Sequence, residues 1–336
     1  MRHLLVPLDG SGFGESALRL AGAVAARTGR DLELVTVNTP ATHSDISPRL
    51  AAEIEATCGV RARTYLESQA EEVRHRFGIA VRTAVLDGEV SSAVVTHVRT
   101  SPPDLIVMST HGRSGPSRFF LGSVADRLLR ELHCPFILVR PATGFARGEL
   151  PDAARVLVPL DGSPLAESVI DQVAGLCRSD SVELRLLRIV APAEVFPIGA
   201  PMPLPPSQPN LMEARLAAAK AYLERTASRL RDAGWRVEHE VVVGWSPAAE
   251  VLRVAEEHRC DLIAIATRGR DGVQRLLLGS VADKVIRGAT APVLAVNPTP
   301  GAFSLMLGDR LETASSAEEV GEAAGAGPRP ELCRSL

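Results

Sequence analysis

Two glycine pairs are the residues whose spacing best suits chemistry. Gly112 and Gly122, and again Gly269 and Gly279, are each separated by nine residues, and a serine follows each second glycine, Ser123 or Ser280. Glycine lets backbone N–H groups approach an anion closely, and the free amides and dipole at a helix start favour a phosphate. Arg113 and Arg118 lie inside the first loop and Arg270 and Arg275 inside the second, where guanidinium groups add positive charge. A structural role fits the same letters. Ser-Val-Ala-Asp at 123–126 and 280–283 reads as a capping box, and its Asp126 and Asp283 would stand unfavourably near a phosphate. Both readings stay open on sequence.

Asp9 and Asp161 each end a short apolar run, where a carboxylate can accept hydrogen bonds from a ribose or a base amine. Asp-Gly-Ser also suits a turn that starts a helix, and the two readings are balanced. His111 precedes Gly112 but is matched by Arg268, so it is read as a loop residue, not a shared catalyst. Five cysteines, at 58, 134, 177, 260 and 333, show no CxxC pair and no zinc spacing, and are read as isolated thiols of a reducing compartment.

The elements that position these residues occur twice. "LLVPLDGSGFGESAL" from Leu4 returns as "VLVPLDGSPLAESVI" from Val156, and "HGRSGPSRFFLGSVADRLLRELHCPFILV" from His111 aligns with "RGRDGVQRLLLGSVADKVIRGATAPVLAV" from Arg268. Each copy reads as strand, helix and strand (4–8, then 32–37; 156–160, then 182–190). A helix (61–76; 211–233), a third strand (81–86; 237–243) and another helix follow. A fourth strand from Asp104 or Asp261 then meets the glycine loop, a helix and a fifth strand. Strands that are apolar almost throughout imply a parallel sheet covered on both faces. The expected fold is therefore α/β: two flavodoxin-like, Rossmann-like doubly wound five-stranded parallel sheets in tandem, strand order 3-2-1-4-5. That order brings the ends of strands one and four together, so Asp9 should face the loop after Thr110. The expected boundaries are one domain at 1–140, a linker at 141–153, a second domain at 154–298 and a disordered tail at 299–336. Residues 192–209 hold seven prolines and are read as a spacer loop.

"VPLDGS" and "THGRSG…LGSVADRLL" resemble the universal stress protein family, and the resemblance covers both copies. It implies an internal pseudo-dimer of the two repeats, paired through the last strands, and allows a further homodimer. ATP-binding members carry a Gly-x-x-Gly pattern before the nine-residue interval. Here Gly112 and Gly122, or Gly269 and Gly279, match its second and third glycines, while Ser109 and Ala266 stand at the first. The resemblance implies ATP or a related adenine nucleotide, with Mg2+, as ligand. It places Asp9, Val37, Asp161 and Ile189 near the adenosine part. It places Ser109, Gly112, Arg113, Gly122, Ser123 and Val124 near the phosphates, and in the second copy Ala266, Gly269, Arg270, Gly279, Ser280 and Val281. A backbone passing through Ser109 or Ala266 is unstrained where φ is negative and strained where it is positive.

The formal net charge is −3 with a pI near 6.3, which gives no electrostatic reason to expect nucleic acid or a membrane surface as partner. No apolar run reaches spanning length, and the protein is expected in the cytoplasm. The reading adopted is nucleotide binding as a regulatory ligand in stress response. The alternatives are a nucleotide-independent interaction module assembled through the fifth strands and, as a lesser one, a slow ATPase. No Walker loop and no GxGxxG is present, and no repeated base or metal-ligand set beyond the aspartates already named.

Overall fold

The computed structural model describes residues 3–39, 47–110, 121–140, 154–177, 179, 182–192, 209–267 and 278–297. The first copy comprises β1 (His3–Pro7), α1 (Gly12–Thr28), β2 (Asp31–Asn38), α2 (Pro48–Phe77), β3 (Val81–Asp87), α3 (Val90–Thr100), β4 (Leu105–Ser109), α4 (Ser123–Glu131) and β5 (Phe136–Val139). The second comprises β6 (Ala154–Pro159), α5 (Pro164–Leu176), β7 (Val182–Val190), α6 (Pro209–Asp232), β8 (Arg236–Val243), α7 (Pro247–Glu257), β9 (Leu262–Ala266), α8 (Ser280–Gly288) and β10 (Val293–Val296). The linker at 141–153 and the tail from 299 lie outside the described residues.

The expected strand order holds in each copy, but the two sheets are halves of one. The order is β3-β2-β1-β4-β5-β10-β9-β6-β7-β8, parallel within each half and antiparallel at the seam between β5 and β10. Ile137 pairs with Leu294, and the two occupy equivalent places in their copies. A pseudo-twofold axis therefore passes between them. Antiparallel joining reverses the second half, so the C-terminal strand ends of the two copies lie on opposite edges of the sheet.

Apolar residues on both sides of every central strand produce two continuous cores. One lies under α1, α2, α5 and α6, the other under α3, α4, α7 and α8. The seam is dry: Phe136, Ile137, Leu138, Val293, Leu294 and Ala295 are all at least 98% buried. Polar groups flank it. Arg140 donates to the Arg287 carbonyl, and Asn297 Nδ2 donates to the Leu132 carbonyl at 3.4 Å. The fifth strands, which the interaction-module alternative assigned to assembly, are thus consumed inside the chain.

One element departs from its expected length. α2 begins at Pro48, thirteen residues before the expected Arg61, with Ser47 as its N-cap accepting from the Leu50 amide at 3.3 Å. Its added turns are largely exposed and lack an apolar stripe, so periodicity gave no signal there. Because the seam joins both cores, Phe136→Ala should lower the stability of the whole chain by about 3–5 kcal/mol. Urea denaturation should still show one coincident transition by far-UV circular dichroism and by tryptophan fluorescence. Two separated transitions would contradict the shared core.

Candidate functional site

The ligand edge of the first copy is set by pairing. Leu5 stands beside Ile106, and Pro7 beside Val35, so the ends of β1, β2 and β4 finish together. The Leu8 amide donates to the Val35 carbonyl at 2.8 Å and Thr36 Oγ1 to the Leu8 carbonyl at 2.8 Å, which fixes where Asp9 emerges. Asp9, the half-buried Val37 and the buried Ser109 and Thr110 share this edge. In the second copy Asp161, Ile189, Ala266 and Thr267 do the same, with the Leu160 amide on the Leu187 carbonyl at 2.8 Å.

Asp9 and Asp161 are both held in a helix-starting turn. Asp9 Oδ1 accepts from the Ser11 amide at 3.0 Å and from Ser11 Oγ at 2.6 Å, while Ser11 Oγ accepts from the Gly14 amide at 3.1 Å. Asp161 Oδ1 repeats this with the Ser163 amide at 2.8 Å and Ser163 Oγ at 2.5 Å. The intervening glycines have φ of 75° at Gly10 and 80° at Gly162, a left-handed conformation that a side chain disfavours. The turn reading is therefore realised in both copies, and it orients the carboxylate at the strand end.

The loop after β4 is closed at its base. The Thr110 amide donates to the Val139 carbonyl at 2.8 Å, and the Gly122 amide donates to the Thr110 carbonyl at 2.8 Å. Thr267 and Gly279 repeat both bonds at 2.8 and 2.7 Å. A Cβ on Gly122 would stand 3.1 Å from the Thr110 oxygen, so close backbone approach explains this glycine; its φ of −56° does not require one. Gly112, Arg113, Gly269 and Arg270 lie outside the described residues. Ser109 and Ala266 close β4 and β9, and Arg259 is the one non-glycine residue with positive φ among those described, so neither substitution is strained.

The capping-box reading fails on register. The N-cap of α4 is Gly122, one residue before Ser123, and no side chain caps it. α8 repeats this with Gly279. Asp126 is instead bonded to Arg130 at 2.9 and 3.1 Å, and Asp283 to Arg287 at 2.9 Å. Arg287 also reaches Asp126 across the copies at 3.6 Å, and the bond to Asp126 raises the Arg130 pKa further. These carboxylates close the interface beside the seam. The exposed Ser123 and half-buried Val124 thus open α4 with amides that no described side chain takes, as Ser280 and Val281 do for α8.

Glu89, the N-cap of α3, accepts from the Ser91 and Ser92 amides and from Ser92 Oγ, and Arg127 of α4 reaches it at 2.8 Å. The Ser92 hydroxyl and the two amides lower its pKa to about 2. This contact ties the start of α3 to α4. Among the described residues no group of three His, Cys, Asp or Glu is arranged to hold a metal ion, and no helix is long and apolar enough to cross a membrane.

Comparison with known proteins agrees with this architecture. The universal stress protein family profile matches residues 1–140 and 153–297. The chain belongs to that family. A universal stress protein of Mycolicibacterium smegmatis is 26% identical over 308 residues, covering 88% of this chain and 97% of its own length. One from Methanocaldococcus jannaschii is 28% identical over 152 residues, covering 42% of this chain and 93% of its own. The crystal structure of a universal stress protein from Archaeoglobus fulgidus superposes with a TM-score of 0.63 at 20% identity, covering 88% of this chain and 98% of that one.

Sequence reasoning missed Arg188. It stands where the first copy has Thr36 and takes over its bond, donating to the Leu160 carbonyl at 3.1 Å. An arginine inside the apolar run "VELRLLRIV" was the available signal.

Three of the cysteines, Cys134, Cys177 and Cys260, are buried thiols without activation. Burial pushes Cys134 up to about 12, and Cys177 and Cys260 to about 11. Iodoacetamide at pH 8 should therefore label the exposed Cys58 well before these three. The unfolded chain loses these thiol protons near pH 9 while the folded chain keeps them, so stability should fall as pH rises from about 9 toward 11. Equal labelling of all four, or stability flat across that window, would refute the assignment.

Proposed function

We propose that this chain binds ATP or a related adenine nucleotide as a regulatory ligand in a stress response, with the first copy as the working site. The observation that carries the reading is the N-terminus of α4. Gly122 caps it without a side chain and is bonded to Thr110 at the end of β4, the strand beside β1, and Asp126 is drawn to Arg130. A helix start of this kind favours a phosphate. Asp9, fixed by Ser11, would accept from a ribose hydroxyl or a base amine, and Val37 would border the base. Mg2+ would arrive with the triphosphate. Asp126 and Asp283, the acids nearest the glycine-capped helix starts, are engaged with arginines and are not held as bases beside a phosphate. This supports a ligand over a substrate.

The test is calorimetric titration of nucleotide-stripped protein with Mg-ATP. Ser123→Asp places a carboxylate in the first turn, which suits the helix dipole but opposes a phosphate. It should weaken binding at least about tenfold, while Ser280→Asp changes it little. Absence of saturable binding by the parent chain at millimolar Mg-ATP would sink the proposal, and equal weakening by both variants would sink the choice of copy.

A further inference from the structure

Asp9 and Asp161 take the same bonds from their serines, yet the helices that follow differ at one buried place in the first turn. The first copy has Gly14 there and the second Ala166, each five residues after its aspartate. Their amides confirm the match. Gly14 donates to Ser11 Oγ at 3.1 Å and Ala166 to Ser163 Oγ at 3.2 Å.

A Cβ on Gly14 would stand 2.7 Å from Asp9 Oδ1, where such contacts do not fall below about 3.0 Å. The next nearest atoms, at 3.5 and 3.7 Å, are also those of Asp9. The room that this glycine leaves is thus taken up by the Asp9 carboxylate. Nothing in its backbone calls for glycine, because Gly14 lies inside α1 and outside the left-handed region, where alanine is the better helix former. In the second copy the Ala166 methyl group occupies that room. The Asp161 carboxylate must therefore stand farther from its helix than Asp9 stands from α1.

We propose that Gly14 is the positioning residue of the first copy's site: it admits the Asp9 carboxylate against α1 and so sets where that carboxylate meets a ligand, a place that Ala166 denies to Asp161. The inference rests on the adenine-nucleotide reading and deepens it. A carboxylate accepts hydrogen bonds and donates none, so the first copy selects nucleotides that present a donor, a ribose hydroxyl or a base amine, at this point. Charge-assisted bonds are short and directional, and a displaced carboxylate loses them. The two copies then differ in nucleotide preference through one methyl group.

The test is a double-mutant cycle read by calorimetric titration of nucleotide-stripped protein with the magnesium complexes of ATP, deoxy-ATP and inosine triphosphate. Deoxy-ATP lacks a ribose hydroxyl and inosine triphosphate lacks the base amine, so the pair distinguishes the two donors. Gly14→Ala should weaken Mg-ATP binding at least about tenfold and shrink the preference for ATP over the analogue that lacks the donor. In an Asp9→Ala background the new methyl group meets no carboxylate, and Gly14→Ala should cost nothing further. Parent-like affinity in Gly14→Ala would overturn the inference, as would an equal loss from Gly14→Ala with and without Asp9. Unchanged preference against both analogues would overturn the donor role. Absence of saturable binding by the parent chain would instead overturn the nucleotide reading itself, and this inference with it.

Discussion

The antiparallel pairing of β5 with β10 is the constraint on which the rest of the structure depends. Ile137 against Leu294 sets the pseudo-twofold, and the large Phe136 stands opposite the small Ala295 in a buried seam. Joining the halves here hides two strand edges that would otherwise be open to other chains. It also fixes the functional geometry. Each copy's ligand edge is the C-terminal end of its own strands, so reversal at the seam sends the two edges to opposite sides of the sheet. The two edges share no strand end, and each is free to change alone.

The copies have used that freedom. In the first, Glu33 lies in the sheet between His3 at 3.1 Å and His97 at 3.2 Å; the second places Arg185 there, facing Glu238 and Glu240. The sign of the charge is inverted at one equivalent strand position, and each inversion carries its own partners. At the C-terminal strand edge the exchange of Thr36 for Arg188 keeps the bond to the Leu8 or Leu160 carbonyl and adds a guanidinium to the second copy's edge. The parts that bonding forces to be identical have stayed identical. These are the Asp-Gly-Ser turns, the Thr-to-Gly bond at the base of each loop and the uncapped starts of α4 and α8.

Much of this was legible in the letters because duplication doubles every signal. The strand order followed from apolar runs bounded by turns, and the facing of Asp9 and Thr110 followed from that order. What remained open were questions of one residue of register. Ser123 reads as an N-cap, yet Gly122 holds that place because its amide is drawn to the Thr110 carbonyl. Asp126 reads as a capping partner or a hazard to phosphate, yet it is engaged by Arg130 and by Arg287 of the other copy, a contact visible only once the seam is formed. The start of α2 was illegible because solvent surrounds it.

The central claim is that one sheet carries two unequal sites. Equilibrium dialysis of the nucleotide-stripped chain against labelled ATP with excess magnesium tests it most directly. The account predicts saturation at one nucleotide per chain. Two equivalent nucleotides per chain would contradict the divergence of the second copy, and none would contradict the site at α4.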